Sequence, residues 1–190
     1  KFISWKAVTP ESIPSFSAVA YYFGRDLQKH LNVPIGLINT SWGGTRAEAW
    51  TSKPALDAVP SLKAIGEGWK EFLATYDVEK AKAAHAAQSE KVLKYIEKVK
   101  QENAKPGAVQ KKVPAAPRGF QNENTSQHRP GVLFNSMISP IVPFTVKGAI
   151  WYQGESNASR ADQYLPLMET LIKDWRNQWK DDFSFYIVQL

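Results

Sequence analysis

The sequence predicts an α/β protein built on parallel strands, and three observations carry that expectation. Two short apolar runs, 34–40 and 146–152, each close on a Gly-containing polar motif: Ser41-Trp42-Gly43-Gly44-Thr45 after the first and Gln153-Gly154-Glu155-Ser156-Asn157 after the second. Ahead of the first run, Val19, Tyr22, Phe23, Leu27 and Leu31 recur at three- and four-residue steps, the period of an amphipathic helix. Behind the second run, Tyr164, Leu167, Met168, Leu171, Ile172 and Trp175 keep the same period and lead into a third apolar run, 183–190. Strand, helix, strand at this length reads as a right-handed parallel crossover. Ligands of open α/β sheets bind outside the carboxyl ends of the strands, so the two polar motifs are expected to line one cleft.

In chain order, Ser15 or Ser17 is the expected N-cap of the first helix. Pro34 restricts the residue before it and so ends that helix, and a strand over 35–39 is expected to follow. Short helical pieces are expected at 47–50 and 52–59. From Leu62 a longer helical pattern runs through Leu62, Ile65, Trp69, Phe72, Leu73 and Tyr76, and later through Val92, Leu93, Ile96 and Val99. A break near Asp77 would make it a helical hairpin; without one it is a single long helix. Pro106, Pro114, Pro117 and Pro130 then exclude regular structure, so 105–130 is expected to be a long surface loop, a kind of segment that is often functional. A short helix is expected around 135–138. Three parallel strands are too few for a closed doubly wound sheet, so further strands are expected outside this chain.

At 190 residues and 43% hydrophobic, the chain is expected to bury one core as a single domain. The net charge of +6 is spread through 66–112, where lysines alternate with Glu and Asp. That is the pattern of a solvated helix surface, and no nucleic-acid motif accompanies it. The absence of cysteine removes disulfides, thiol catalysis and Cys-ligated metals. No apolar run of about 18 residues suits a membrane span, and the N-terminus lacks a signal-peptide pattern. A start at Lys1 without Met and an end on an apolar strand-like run lead to the expectation of a trimmed or truncated chain.

Each polar motif admits two readings. Gly43-Gly44 after a strand is either a tight turn or a turn whose bare backbone N–H groups stabilise a developing oxyanion. Asn157 is either a side-chain amide aimed into the cleft or, like Ser156, a cap of the helix that follows.

Together the blocks resemble the sialate O-acetylesterase branch of the SGNH (GDSL-like) hydrolases. The residues that carry the resemblance are Ser41-Trp42-Gly43-Gly44-Thr45 with Glu48-Ala49-Trp50, and Trp151-Tyr152-Gln153-Gly154-Glu155-Ser156-Asn157. Phe16-Ser17-Ala18-Val19-Ala20-Tyr21-Tyr22-Phe23-Gly24, Leu133-Phe134-Asn135-Ser136-Met137-Ile138 and Trp175-Arg176 extend it. The resemblance implies a flavodoxin-like three-layer α/β/α sandwich with a parallel sheet, incomplete in this chain, with 62–130 as helical insert and proline-rich loop of a partial domain over 1–190. It implies removal of acetyl groups from sugars through a serine acyl-enzyme, with neither metal nor cofactor. Gly43 or Gly44 would give a backbone N–H, and Asn157 a side-chain amide, to the same oxyanion.

Around that hole, Arg46 and Glu48 would orient the loop or bind sugar hydroxyls, or else form a surface ion pair. Gln153 and Glu155 would line the substrate site and brace the Asn157 loop. Trp42, Trp50, Trp69 and Trp151 are stacking candidates for a sugar ring, although most of the seven tryptophans fall on apolar faces.

The family's Gly-Gln-Ser-Asn nucleophile block and its Asp-x-x-His block are both missing here. His30 and His85 lie in helical stretches, while His128 remains a possible substrate contact. Ser17, Ser41, Ser136 and Ser156 lack the turn signature of a nucleophile elbow, and Ser156 is read as loop structure. The expectation is therefore a segment that carries the oxyanion hole and is inactive by itself. The partner implied is an acetylated carbohydrate, not nucleic acid or membrane, and the family analogy favours a periplasmic or secreted setting. Two rival readings are a non-catalytic carbohydrate-binding or scaffold protein of the same fold, and a nucleotide-binding flavodoxin-like domain. The second lacks a phosphate loop with Lys.

Overall fold

The computed structural model describes residues 4–189, and among them five α-helices and two strands form. Helix α1, Ala18–Leu31, begins where the Ser17 hydroxyl accepts from the Ala20 amide at 3.3 Å, and ends on Asn32 in the left-handed region two residues before Pro34. Gly24 on α1 is buried under Leu37. A Cβ there would lie 2.8 Å from the Leu37 Cδ1, so any larger residue would require the Leu37 side chain to shift.

Leu37 belongs to the run expected as a strand over 35–39, and here the structure corrects the sequence reading. The run joins no sheet, and Ile38 is exposed. Apolar alternation makes a strand only when a neighbour takes up its backbone hydrogen bonds, and none of the described residues lies beside it in a ladder.

The strand, helix, strand unit is present. β1, Gly148–Trp151, pairs in parallel with β2, Ser184–Ile187, in the register Gly148 to Ser184 through Trp151 to Ile187. The Val188 amide continues the ladder onto the Trp151 carbonyl at 2.9 Å. Position 190, the end of the expected third strand, lies outside the described residues. Between the strands runs α5, Ala161–Trp179. The architecture is thus helix-rich around a small parallel sheet, consistent with part of an α/β fold. The three-layer sandwich remains an expectation.

The core sits where α5 meets β1, the turn Ala47–Trp50 and α2, Lys53–Ala58. Trp50, Trp151 and Trp175 meet edge to face, with centroids 6.4 and 5.9 Å apart, a favoured aromatic arrangement. Three of the tryptophans are therefore core, and Trp50 and Trp151 are closed to a sugar ring. Directional bonds fix the register of this packing. The Trp175 indole donates to the Trp50 carbonyl at 2.9 Å, and buried Asp174 accepts from the Ser52 amide and hydroxyl at 2.7 and 2.9 Å. Ser52 in turn caps α2.

The helical insert is two helices. α3, Pro60–Thr75, starts with Pro at its first position, a place where a missing N–H is tolerated. α4, Val78–Asn103, starts afresh at Asp77, whose carboxylate accepts from the Glu79 and Lys80 amides. Only Ile96 and Val99 of α4 are buried. Its remaining charged faces meet solvent, as the alternating lysines and acids predict.

Residues 104–122 contain neither helix nor strand and return along α4. Asn103 is bonded through its amide to the backbone of Lys111, His85 lies 3.1 Å from the Arg118 carbonyl with its ring against Phe120, and the Tyr76 hydroxyl accepts from the Glu123 amide. From 103 back to 85 the helix covers about 27 Å. Residues 111–120 cover the same distance at the rise of an extended proline-rich chain, about 3.1 Å per residue. The expected loop is thus a strap laid antiparallel on α4. The segment 132–141 closes into a π-helical turn, Phe134–Ile138, with Phe134 and Ile138 in the core.

Candidate functional site

Thr45 organises the first motif. Its buried hydroxyl donates to the Trp42 carbonyl at 2.7 Å and accepts from the Trp50 indole at 2.9 Å, so the core tryptophan fixes the turn over 42–45. Within that turn Gly44 has φ +76°, a conformation that favours glycine. Gly43 and Gly44 are both exposed, and a Cβ on either would meet nothing within 4 Å. Among the described residues neither glycine amide donates a hydrogen bond. The loop therefore presents open backbone donors on a fixed frame.

The second motif leaves the carboxyl end of β1 and clamps the first. The Ser156 hydroxyl donates to the Gly44 carbonyl at 2.9 Å, the Gln153 amide to the Thr45 carbonyl at 3.1 Å, and Asn157 Oδ1 accepts from the Ala47 amide at 3.0 Å. Segments about 110 residues apart in sequence thus form one unit.

Asn157 itself is turned inward. It is 3% exposed, its Oδ1 also accepts from Gln153 at 2.7 Å, and its Nδ2 donates to Glu48 Oε2 at 2.9 Å. Glu48, 2% exposed, binds Arg160 through its other oxygen at 2.5 Å. The sequence reading of Glu48 as a possible surface partner of Arg46 is corrected accordingly: the acid is buried, and its cation is Arg160. A buried carboxylate needs a full set of partners, and Asn157 and Arg160 supply them. Tyr164, read from sequence only as part of a helical apolar period, places its hydroxyl 2.8 Å from the Gln153 carbonyl and 3.0 Å from Gln153 Oε1.

The other candidates occupy two depressions. A groove of about 720 Å³ lies at the carboxyl ends of β1 and β2, lined by Gln153, Gly154, Glu155, Tyr164, Ile187 and Val188. Glu155 is exposed there and makes no hydrogen bond to any described residue. A cleft of about 530 Å³ lies between α3 and residues 123–130, with Arg46, Glu48 and Arg160 in its wall. Trp42 is 52% exposed, while Trp69 and His128 line the cleft.

The serines are held locally: Ser17 caps α1, Ser41 donates to Asn39, Ser136 to the Val132 carbonyl and Ser156 to Gly44. Thr45, Arg160 and Tyr164 escaped the sequence reading. The local pattern left a signal for the last two: Arg160 and Tyr164 fall three and seven residues after Asn157, a spacing that keeps them near one helical face.

Comparison with known proteins supplies the lineage. Residues 103–190 match the family model described as carbohydrate esterase, sialic acid-specific acetylesterase. The sialate O-acetylesterase of Mus musculus is 36% identical over 183 residues, covering 92% of this chain and 29% of its own length. That of Homo sapiens is 31% identical over 202 residues, covering 99% of this chain and 29% of its own length. This chain thus spans under a third of the length of the curated relatives it matches, and the matched stretch includes both polar motifs. Over nearly all of its length the chain is thus similar to part of the sialate O-acetylesterases.

Proposed function

We propose that this chain contributes the oxyanion-binding part of a carbohydrate O-acetylesterase, active in a full-length protein comparable to its relatives. The observation that carries this reading is the clamp of three hydrogen bonds joining the Gly43-Gly44 turn to the Gln153 and Asn157 loop. A serine hydroxyl supplied from outside residues 1–190 attacks the acetyl carbonyl, and its proton passes to a histidine also supplied from outside. The sugar oxygen departs with that proton, and water then releases acetate from the serine. The negative oxygen of each tetrahedral intermediate is held by the Gly43 and Gly44 backbone amides. Donors fixed before the reaction need no reorganisation at the moment of charge development, and each is worth about 100- to 1000-fold in turnover.

In this reading Asn157 is a positioning residue. The sequence reading gave its amide directly to the oxyanion, but burial and the bonds to Glu48, Ala47 and Gln153 favour a role through the loop that carries the glycines.

The test is acetate release from O-acetylated N-acetylneuraminic acid by the full-length protein. Turnover supports the reading. Failure to release acetate from a sugar that the protein binds contradicts it and favours a non-catalytic carbohydrate-binding protein.

A further inference from the structure

We propose that the cleft between α3 and residues 123–130 is a sugar-ring subsite, which holds the glycan whose acetyl ester is presented to the glycine loop. The assignment of its purpose rests on the esterase reading, whereas its location rests on independent features.

The first is the face of α3 that forms one wall. Ile65, Trp69 and Phe72 recur at helical spacing, and the Trp69 and Phe72 rings lie 5.7 Å apart at a tilt of 54°. Between them Gly68 removes a side chain from the wall, since a Cβ there would meet nothing within 4 Å. An aromatic platform with open space over it suits the apolar face of a pyranose.

The second feature is unspent hydrogen-bonding capacity. Among the described residues four buried side-chain polar atoms lack a partner, and three of them belong to residues lining this cleft: Trp69 Nε1, His128 Nδ1 and Gln163 Oε1. Buried polar groups are normally paired, and orphans ask for an explanation. The three combine a donor, an acceptor and a ring nitrogen able to be either. A hydroxyl-rich ligand, in which every group both donates and accepts, answers that mixture.

The charges narrow the ligand further. Arg46 and Arg160 are balanced in the wall by Glu48 and Glu123, with Glu48 already bound to Arg160. A phosphate ligand would call for an excess of cations; a polyhydroxylated ring does not. Two residues of the cleft wall tie it to the glycine loop: Arg46 directly follows Thr45, and Glu48 binds Asn157.

The experiment is titration of the full-length protein with the methyl glycosides of N-acetylneuraminic acid and of galactose, by calorimetry or ligand-detected NMR. Gly68→Leu fills the cleft from an open helical position and should favour the helix, and Trp69→Phe keeps the ring but removes the indole donor. The proposal expects binding of at least one glycoside, a loss of at least tenfold in Gly68→Leu with the melting temperature retained, and a smaller loss in Trp69→Phe. Wild-type affinity in both variants, or no binding of either glycoside by the wild type, overturns it. If glycosides bind in a Gly68-dependent way but the wild type releases no acetate from any acetyl ester, the esterase reading fails and the subsite stands.

Discussion

The two loops of the candidate site solve opposite problems. The Gly43-Gly44 turn is open: its amides are unspent, its residues are exposed, and its frame is held from beneath by Thr45 and Trp50. The Asn157 loop is closed: its amide is spent on Glu48, Ala47 and Gln153. The contrast teaches that a polar residue after a strand can act by holding a neighbour still, while the backbone donors beside it stay free.

The largest effect expected from breaking this contrast is at Glu48. Glu48→Ala leaves the Arg160 guanidinium and the Asn157 amide without their acceptor, and removing one partner of a buried ion pair typically costs about 3–5 kcal/mol. Arg160 keeps part of its exposure, which places the result toward the lower end. Denaturant unfolding measures it. Asn157→Ala should cost less, about 1–3 kcal/mol, since it strands neutral donors on Ala47 and Gln153 and one oxygen of Glu48. A melting temperature equal to wild type would contradict the closed description.

Within the open loop the expectation divides between neighbours. Gly44→Ala places a Cβ at φ +76° and should cost about 1–2 kcal/mol. Gly43→Ala meets no neighbouring atom and should be close to neutral by the same measurement. Equal losses at both would show that the turn is not pinned as described.

The smallest effect lies far from the site, where Lys111 ties the strap to the end of α4. The hydrogen bond and charge of Lys111 hold the Glu102 carboxyl below its usual range. A folded value below the unfolded one means that the stabilisation is present above the unfolded carboxylate range and lost as pH falls through the folded value. Amide exchange over 104–111 should therefore quicken in acid, once corrected for intrinsic rates, and Lys111→Ala should remove that dependence.

Much of the fold was legible where periodicity was strong. α1 with its Ser17 cap, the break at Asp77 and the β1–α5–β2 crossover all follow from spacing and caps. The run 35–39 misled because a strand is a property of two chains, and no ladder partner is written into its own residues. The two motifs were legible after their apolar runs, and hydrogen bonds join them. Neither depression is lined by residues of both, so the single cleft expected from the sequence is not what brings them together. The partner of Glu48 was not legible, because burial, and not sequence distance, decides whether Arg46 or Arg160 answers its charge. Trp69, one stacking candidate among four, could be separated from Trp50 and Trp151 only by packing, which sends those two into the core and leaves Trp69 on a cleft.

The most direct test of the central claim, that Asn157 acts through the Glu48 network while the glycine amides hold the oxyanion, is a double-mutant cycle on acetyl-ester turnover in the full-length protein. With Asn157→Ala, Glu48→Ala and the pair together, the account predicts strong coupling: each single variant lowers kcat/KM, and the double variant is no worse than the poorer single one. Independent, multiplying losses, or a 100- to 1000-fold loss in Asn157→Ala beside wild-type turnover in Glu48→Ala, would contradict it and return the amide of Asn157 to the oxyanion.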